Sequence, residues 1–262
     1  MIVAVVALAG CASSAADTTS TSPVELVNVW RVEAPGESSD TWVKFESGNL
    51  TTWSDCGIAL GSWRAASRTL VSSLTGSIGG SMCSDYANGL PDWLYDATSF
   101  TRVNDAHYRL LASDGTSLAD LTIDGLPPTS SNYSDSTVQP TKVTDDTRAA
   151  FAEPAPLPIE ATAVHSLDGR WIPSDAVPSY DAFVDFDGDT WTSSDGCNGM
   201  NGRFLVGDDG LFLATSGGST LIGCDNSRGP EWVQGAARAG MVSDNLTLYD
   251  RSGKQLGYFT RA

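Results

Sequence analysis

The feature that most constrains this chain is an internal repeat, in which rare residues recur 141 positions apart in the same order. The matched pairs are Trp30 and Trp171, Cys56 and Cys197, Cys83 and Cys224, and Trp63 and Phe204. Tryptophan and cysteine are uncommon, so chance does not account for this agreement. Self-similarity at a fixed offset is the signature of a duplicated structural unit. The sequence therefore predicts a tandem duplication.

The segment between the two copies, residues 127–160, has the composition of a linker. It holds six of the twelve prolines, and much of the rest is Ser, Thr and Asp. Proline-rich stretches favour an extended, semi-rigid backbone, and a short helical turn is predicted at residues 145–151. The copies then cover residues 24–126 and 161–262.

Each copy has the pattern of a small, mainly β domain with one helix. In the second copy, Asp187-Gly188 and residues 207–210 are predicted hairpin turns. A helix is predicted from Pro230 to Gly240, because Pro suits the first helical position and Gly the end. Pro91 marks the matching helix start in the first copy. One helix against a curved sheet buries these apolar faces.

The predicted fold class is therefore α+β, mainly β. It consists of two tandem small domains, each a curved antiparallel sheet or partial barrel with one helix.

The N-terminus predicts export and lipid anchoring. Residues 1–10 read MIVAVVALAG, an apolar run that is too short to span a bilayer and is typical of a signal peptide. The run ends in Leu8-Ala9-Gly10-Cys11, which resembles the lipobox of bacterial lipoproteins. That resemblance implies that Cys11 is acylated and becomes the first mature residue, followed to residue 23 by a flexible tether. A basic segment before the apolar run is missing, and the alternatives are an ordinary cleaved signal or a buried strand.

The second copy carries a series of motifs that the first copy keeps only in part. They are Leu167-Asp168-Gly169-Arg170-Trp171, Gly196-Cys197-Asn198-Gly199, Gly202, Phe204, Thr220, Cys224, Glu231 and Leu246 to Tyr249. This series resembles the META domain family, which includes the HslJ-like heat-inducible bacterial lipoproteins, over about residues 165–260. The first copy is degenerate, with Asp55-Cys56-Gly57 in place of the Gly-Cys-Asn turn. The resemblance implies an envelope or stress-related role and no catalytic residue.

Four cysteines remain once Cys11 is set aside as the lipid site, and they form two pairs with the same spacing of 27 residues. Disulfides persist in exported proteins and stabilise small domains. The predicted disulfides are Cys56–Cys83 and Cys197–Cys224. Zinc is the competing interpretation, but paired CxxC motifs and neighbouring histidines are missing. No metal or cofactor is predicted.

Charge and motifs count against several classes of function. The formal net charge is −17, and no basic run is present, which disfavours nucleic-acid binding. The Gly-x-Ser-x-Gly, HExxH and phosphate-loop motifs are missing. We therefore predict a protein that is not an enzyme, held by its lipid on the extracytoplasmic face of the cell membrane, with an envelope protein or the cell wall as partner. Two alternatives stay open: a cell-wall hydrolase that uses a pair of acids, and a module that binds a small ligand or a cation.

The candidate ligand contacts are Trp53, Trp191, Asn198 and Asn201. Surface positions would favour ligand contact by the tryptophans, whereas burial would mean packing. The asparagines either bind a polar ligand or stabilise a tight turn. Residues 185–189 place carboxylates at alternate positions, as in a calcium loop, but the Gly and Glu of an EF-hand are missing, which favours a hairpin tip.

Overall fold

The computed structural model describes residues 21–78, 86, 89–129, 136–220, 222 and 227–262. The predicted signal peptide, Cys11 and most of the tether lie outside these residues. In the described part, the chain forms two curled antiparallel sheets and few helices, which confirms the mainly β fold class. None of the helices described there is both long and apolar enough to cross a membrane.

The first sheet is a closed barrel. Its strands are β1 (Val29–Glu33), β2 (Trp42–Phe45), β3 (Asn49–Ser54), β4 (Gly57–Ala66), β5 (Thr69–Ile78), β6 (Ser99–Asn104), β7 (His107–Leu111) and β8 (Ser117–Thr122), with helix α1 (Asp92–Tyr95) between β5 and β6. Each strand pairs antiparallel with the next, and β8 pairs with β1. A 3-10 turn, Pro23–Leu26, precedes β1. The barrel interior is apolar and includes the fully buried Trp30 and Trp63.

The linker is in contact with both sheets. It contains helix α2 (Asp145–Ala150), close to the predicted position, and Thr144 caps the N-terminus of this helix. Val138 is buried against the outer face of the barrel, and Phe151 joins the barrel core. The Ala155 N–H donates to a carbonyl of the second domain. The linker therefore fixes itself to both domains through specific contacts, which its composition did not predict.

The second sheet is an open half-barrel. Its strands are β9 (Thr162–Ala163), β10 (Gly169–Pro173), β11 (Ala182–Asp187), β12 (Thr190–Asp195), β13 (Gly199–Val206), β14 (Phe212–Ala214), β15 (Arg238–Val242), β16 (Asn245–Tyr249) and β17 (Gln255–Arg261), with helix α3 (Gly229–Gly235) between β14 and β15. The order across the sheet runs from β14 through β10 to β17, β15 and β9.

Helix α3 is shorter than predicted. It ends at Gly235, and Gly240 lies inside β15, opposite Thr247 of β16 and Ala163 of β9. The prediction that the helix ends at Gly240 was wrong because residues 238–242 have strand partners on both sides, and tertiary pairing overrides a local stop signal.

The two sheets correspond strand by strand. Strands β1 to β8 with α1 match β10 to β17 with α3, and the helix follows the fifth strand in each copy. One hydrogen bond is repeated as well: Trp30 Nε1 donates to the Leu26 carbonyl at 2.8 Å, and Trp171 Nε1 donates to the Leu167 carbonyl at 2.8 Å. These agreements support the duplication that the sequence predicted.

The two copies dock through matching strands. Strand β4 contacts β14, and β5 contacts β13. Since β4 matches β13 and β5 matches β14, the contact has the character of a self-complementary two-fold interface. Its apolar part joins Ala66 and Val71 of the barrel to Leu211 and Leu213 of the second sheet.

Candidate functional site

The two tryptophans predicted as candidate ligand contacts are buried. Trp53 is 4% exposed and pairs across β2 and β3 with Trp42, on the barrel face that Val138 covers. Trp191 is 1% exposed, and its Nε1 donates to the Thr215 carbonyl at 3.0 Å. The surface position that ligand contact would require is therefore not observed, and both side chains contribute to packing.

The turn after β12 is built around Asp195. Its Oδ1 accepts the N–H groups of Cys197 at 2.7 Å and Asn198 at 2.6 Å. Gly196 has φ +98°, a conformation that favours glycine. Burial raises the pKa of Asp195, but hydrogen bonds from Asn198 and Cys197 outweigh it and lower that pKa below its ordinary value. The turn therefore stabilises an ionised carboxylate.

The side chain of Asn198 joins this turn to the segment before α3. Its Oδ1 accepts from Thr220 Oγ1 at 3.0 Å and from the Ile222 N–H at 2.6 Å. Its Nδ2 donates to the Ile222 carbonyl at 3.0 Å and to Asp195 Oδ2 at 3.1 Å. These bonds use both donors and both acceptor positions of the amide. Asn198 therefore stabilises the turn, which is the second of its two predicted roles.

A cavity of about 330 Å³ lies beside this turn. Asp195, Asn198 and Thr220 line it together with Glu231 of α3, and Met200 supplies an apolar part of the wall. Glu231 is paired with Arg228 at 3.1 Å and is mostly exposed. The cavity could hold a small polar molecule, although the side chains around it already have partners.

Asn201, the remaining candidate contact, does not line this cavity. It lies exposed in β13, and its carbonyl accepts the N–H of Gly217 at 2.7 Å. A Cβ at Gly217 would lie 2.3 Å from Asn201 Oδ1. Asn201 therefore packs closely on its neighbouring backbone and does not share a site with Asn198.

Two of the predicted disulfide cysteines are described. Cys56 and Cys197 are half-buried in matching turns, after β3 and β12. Cys83 and Cys224 lie outside the described residues, as does Cys11. The two disulfides and the lipidation therefore stay predictions.

The contact between the two copies contains a buried arginine that sequence analysis did not single out. Arg203 lies in β13, and its side chain is 10% exposed. Its Nη1 donates to the backbone carbonyls of Ser72 and Tyr95 in the barrel, and its guanidinium stacks 3.6 Å from the Tyr95 ring centroid. Its Nη2 and Nε donate to Asp189 Oδ2 at 2.6 and 3.0 Å. Arg203 therefore ties the two domains together.

The repeat offers a signal that could have identified this position. Arg203 matches Ser62 of β4, and Ser62 Oγ also crosses the interface, donating to the Ser216 carbonyl at 2.8 Å. An arginine next to the core residue Phe204 is unusual, because charged residues are rarely buried without a partner. A search of the matched positions for a charged residue in one copy and a small polar residue in the other would have identified Arg203.

The resolved pKa shifts of carboxyl groups in the described residues all have the same direction. The described carboxyl groups whose pKa departs from its ordinary value are all more acidic than usual: Asp114, Asp120, Asp195, Asp209 and Asp250. At Asp120, burial raises the pKa, but hydrogen bonds from His107 and Arg109 outweigh it. A general acid at neutral pH needs the opposite shift.

The described residues also contain no group of three or more His, Cys, Asp or Glu side chains that could hold a metal ion. In the segment considered as a calcium loop, Asp185 pairs with Arg170 at 3.4 Å and Asp189 pairs with Arg203. These carboxylates therefore already have cationic partners.

The motifs that resemble the META family lie in the strands of the second sheet and in one of its turns. Trp171 is in β10, the Gly-Cys-Asn turn joins β12 to β13, and residues 246–249 lie in β16. No family model matches the chain, and no curated protein is significantly similar to it.

Proposed function

We propose that this chain is a cell-envelope lipoprotein whose two META-like domains act as one non-catalytic binding unit. The observation that carries the proposal is the docking of the copies through Arg203. This side chain is buried between the domains and bonded to both of them. Two modules on a free tether would bind a partner independently, whereas docked modules present one continuous surface.

The charge of the chain is compatible with attachment through lipid. A protein with net charge −17 is repelled by anionic membrane surfaces, so a covalent anchor at Cys11 would hold it where electrostatics would not. The same acidity favours a partner surface with basic groups.

The proposed absence of catalysis is supported by the state of the polar groups. The shifted carboxyl pKa values lie below their ordinary range, and Asn198 has no unused donor or acceptor. These groups act in holding turns together, which is a structural role. A binding protein needs a stable surface and no proton-transfer group.

Lipid attachment is tested by metabolic labelling. The full chain is expressed in a bacterial host with an alkyne-labelled fatty acid, alongside Cys11→Ser. We expect the wild-type chain to be labelled and to sediment with membranes, and the variant to be unlabelled. An unlabelled wild-type chain would contradict the lipoprotein assignment.

The single binding unit is tested by crosslinking in membranes. Wild-type chain and Arg203→Ala are compared, with Arg170→Ala as a control that removes an exposed arginine from the same sheet. We expect a specific partner to be captured by wild type and control, and capture to fall about tenfold in Arg203→Ala. Equal capture by all three would show that the docked arrangement is not needed.

A further inference from the structure

A cavity of about 270 Å³ lies where the barrel, helix α2 and the second domain meet. The barrel contributes residues 47–48 and 63–65 to its wall, and the second domain contributes residues 234–237, which lie at the end of helix α3 and in the loop before β15. Two guanidinium groups, those of Arg64 and Arg251, line it from different domains. A water molecule occupies about 30 Å³ in the liquid, so the volume suffices for a small anion with several waters.

Neither of these arginines has a carboxylate within 4.0 Å among the described residues. Arg64 donates to two backbone carbonyls through Nη1, and Arg251 donates to two others. A guanidinium carries five N–H groups. Each therefore has N–H groups beyond those used by the described backbone.

Two more deeply buried arginines, Arg203 at the domain contact and Arg238 in β15, are neutralised. Arg203 pairs with Asp189 at 2.6 Å, and Arg238 pairs with Asp209 and with Glu153. The chain contains 32 Asp and Glu residues against 15 Lys and Arg. Two neighbouring guanidiniums without a carboxylate therefore do not reflect a shortage of acids.

The positive charges of Arg64 and Arg251 repel each other in this position. Burial lowers the pKa of Arg64. Burial also lowers the pKa of Arg251, and the charges of Arg64 and Arg238 lower it further, against an opposing contribution from Glu153. An anion placed between the two groups would relieve this repulsion.

The surroundings leave space for the Arg64 guanidinium and would strengthen its charge interactions. Gly48 has φ +96°, and a Cβ there would lie 2.7 Å from Arg64 Nη1, so only glycine leaves room for the side chain to lie on this turn. The rings of Trp63 and Phe151, 4.8 Å apart, line the cavity. Apolar walls lower the local dielectric constant, which strengthens attraction between opposite charges.

We propose that this cavity binds an oxyanion, the carboxylate or phosphate group of a small molecule, between Arg64 and Arg251. Guanidinium groups match such groups through paired N–H donors. The proposal rests on the proposed docked unit, because each domain supplies one of the two cations. Binding would add a link between the domains.

The test is calorimetric titration of the full chain with inorganic phosphate and with acetate, at pH 7 and at an ionic strength held constant with sodium chloride. We expect saturable binding of at least one anion. Arg64→Gln and Arg251→Gln should each weaken it about tenfold, since one charge-assisted contact is lost. Arg64→Lys, which keeps the charge but loses the planar fork, should weaken it less than Arg64→Gln. Arg68→Gln, an equal charge change at an exposed position, should bind as wild type.

Absence of saturable binding to either anion in the wild-type chain would overturn the proposal, and this arm does not depend on how the variants fold. Equal affinity in Arg64→Gln, Arg251→Gln and Arg68→Gln would overturn it as well. X-ray scattering of the same wild-type sample separates the two proposals. If the scattering shows docked domains and no anion binds, only the anion-site proposal is rejected. If the scattering shows separated domains, both proposals are rejected.

Discussion

The barrel and the half-barrel are built from the same succession of strands, but only the first closes. In the barrel, β5 runs for ten residues and meets β6 through Thr69 and Ser99. In the second sheet, the matching β14 has three residues. In the described residues, the segment around β14 contacts β15 through one pair of residues, Leu211 and Arg238, and through backbone hydrogen bonds on either side of this pair. The barrel contact is also small, with one residue pair and the backbone hydrogen bonds from Leu70 N–H to the Thr98 carbonyl and from Phe100 N–H to the Arg68 carbonyl. The two copies therefore make a similar contact here and differ in the length of the strand that leads to it.

The gap between β14 and β15, called the seam from here on, is covered by side chains and linker residues that have no such role in the barrel. Arg238, 6% exposed, donates to the carbonyls of Pro154 and Ala155 and pairs with Asp209. Leu157 packs against Gly210 and Gly240 on the two sides of the seam, and β9 adds to the free edge of β15. Covering an edge with linker residues is one way to protect unpaired backbone groups. The linker thus has a structural role in the second copy.

The largest expected effect comes from removing the arginine at the seam. Arg238→Ala should destabilise the second domain by about 3 kcal/mol, because a buried guanidinium and its charge-assisted bonds are lost. Ser99→Ala, at the first residue of β6 as Arg238 is the first residue of β15, should change stability by less than about 0.5 kcal/mol. Urea denaturation measures both. Equal effects would mean that Arg238 does not hold the seam.

A glycine at the seam should be less replaceable than one at a barrel turn. Gly210 has φ +78°, and a Cβ would lie 2.5 Å from Leu157 and 2.8 Å from the Ala239 carbonyl. Gly115 has φ +85° with nothing within 4 Å of its Cβ position. Gly210→Ala should therefore cost about 2 kcal/mol and Gly115→Ala about 1 kcal/mol. Thermal unfolding compares them, and the reverse order would count against the packing of Leu157.

The repeated tryptophan bond should contribute equally in the two copies. Trp30→Phe and Trp171→Phe each leave a carbonyl, of Leu26 or Leu167, without its indole donor. Each should cost about 1 kcal/mol. Chemical denaturation followed by domain-specific NMR signals measures the two values. A difference of more than about 1 kcal/mol would show that closure changes how much this contact stabilises its domain.

The smallest expected effect is a difference in acid sensitivity between the matching turns. The lowered pKa of Asp195 means that its contribution to stability is complete above its unfolded pKa of about 3.9 and is lost as pH falls through the folded pKa. The first copy has Ser54 at this position, which accepts the Cys56 N–H and does not titrate. Protection factors of the Cys197 and Asn198 amides should fall between pH 5 and 2, and that of Cys56 should not. Asp195→Asn should remove this pH dependence.

Much of the fold could be predicted because the two copies share residues that mark the same strands and helix starts. Trp30 and Trp171 mark matching strands, and Pro91 and Pro230 lie at the starts of matching helices. Such features are local: a turn or helix start needs only a few adjacent residues. The end of α3 was misplaced because the strand partners of Gly240 come from distant parts of the chain.

The candidate site was less predictable because its residues act through distant partners. Asn198 was singled out as a candidate ligand contact, but its hydrogen bonds depend on Thr220 and Ile222, which fold back onto its turn. Trp53 was left ambiguous because the linker segment that buries it starts far along the chain. Exposure is a property of the assembled surface and cannot be assigned from strand pattern alone.

The sequence by itself determined the duplication, the mainly β character of each copy and the positions of its turns, because these follow from periodicity and from local backbone preference. Only the tertiary structure decided that one copy closes, that the other is completed by the linker, and that Arg203 joins them. Those outcomes depend on which surfaces meet after each sheet has formed. The physical reason is that burial and charge pairing are set by neighbours in space, and neighbours in sequence do not specify them.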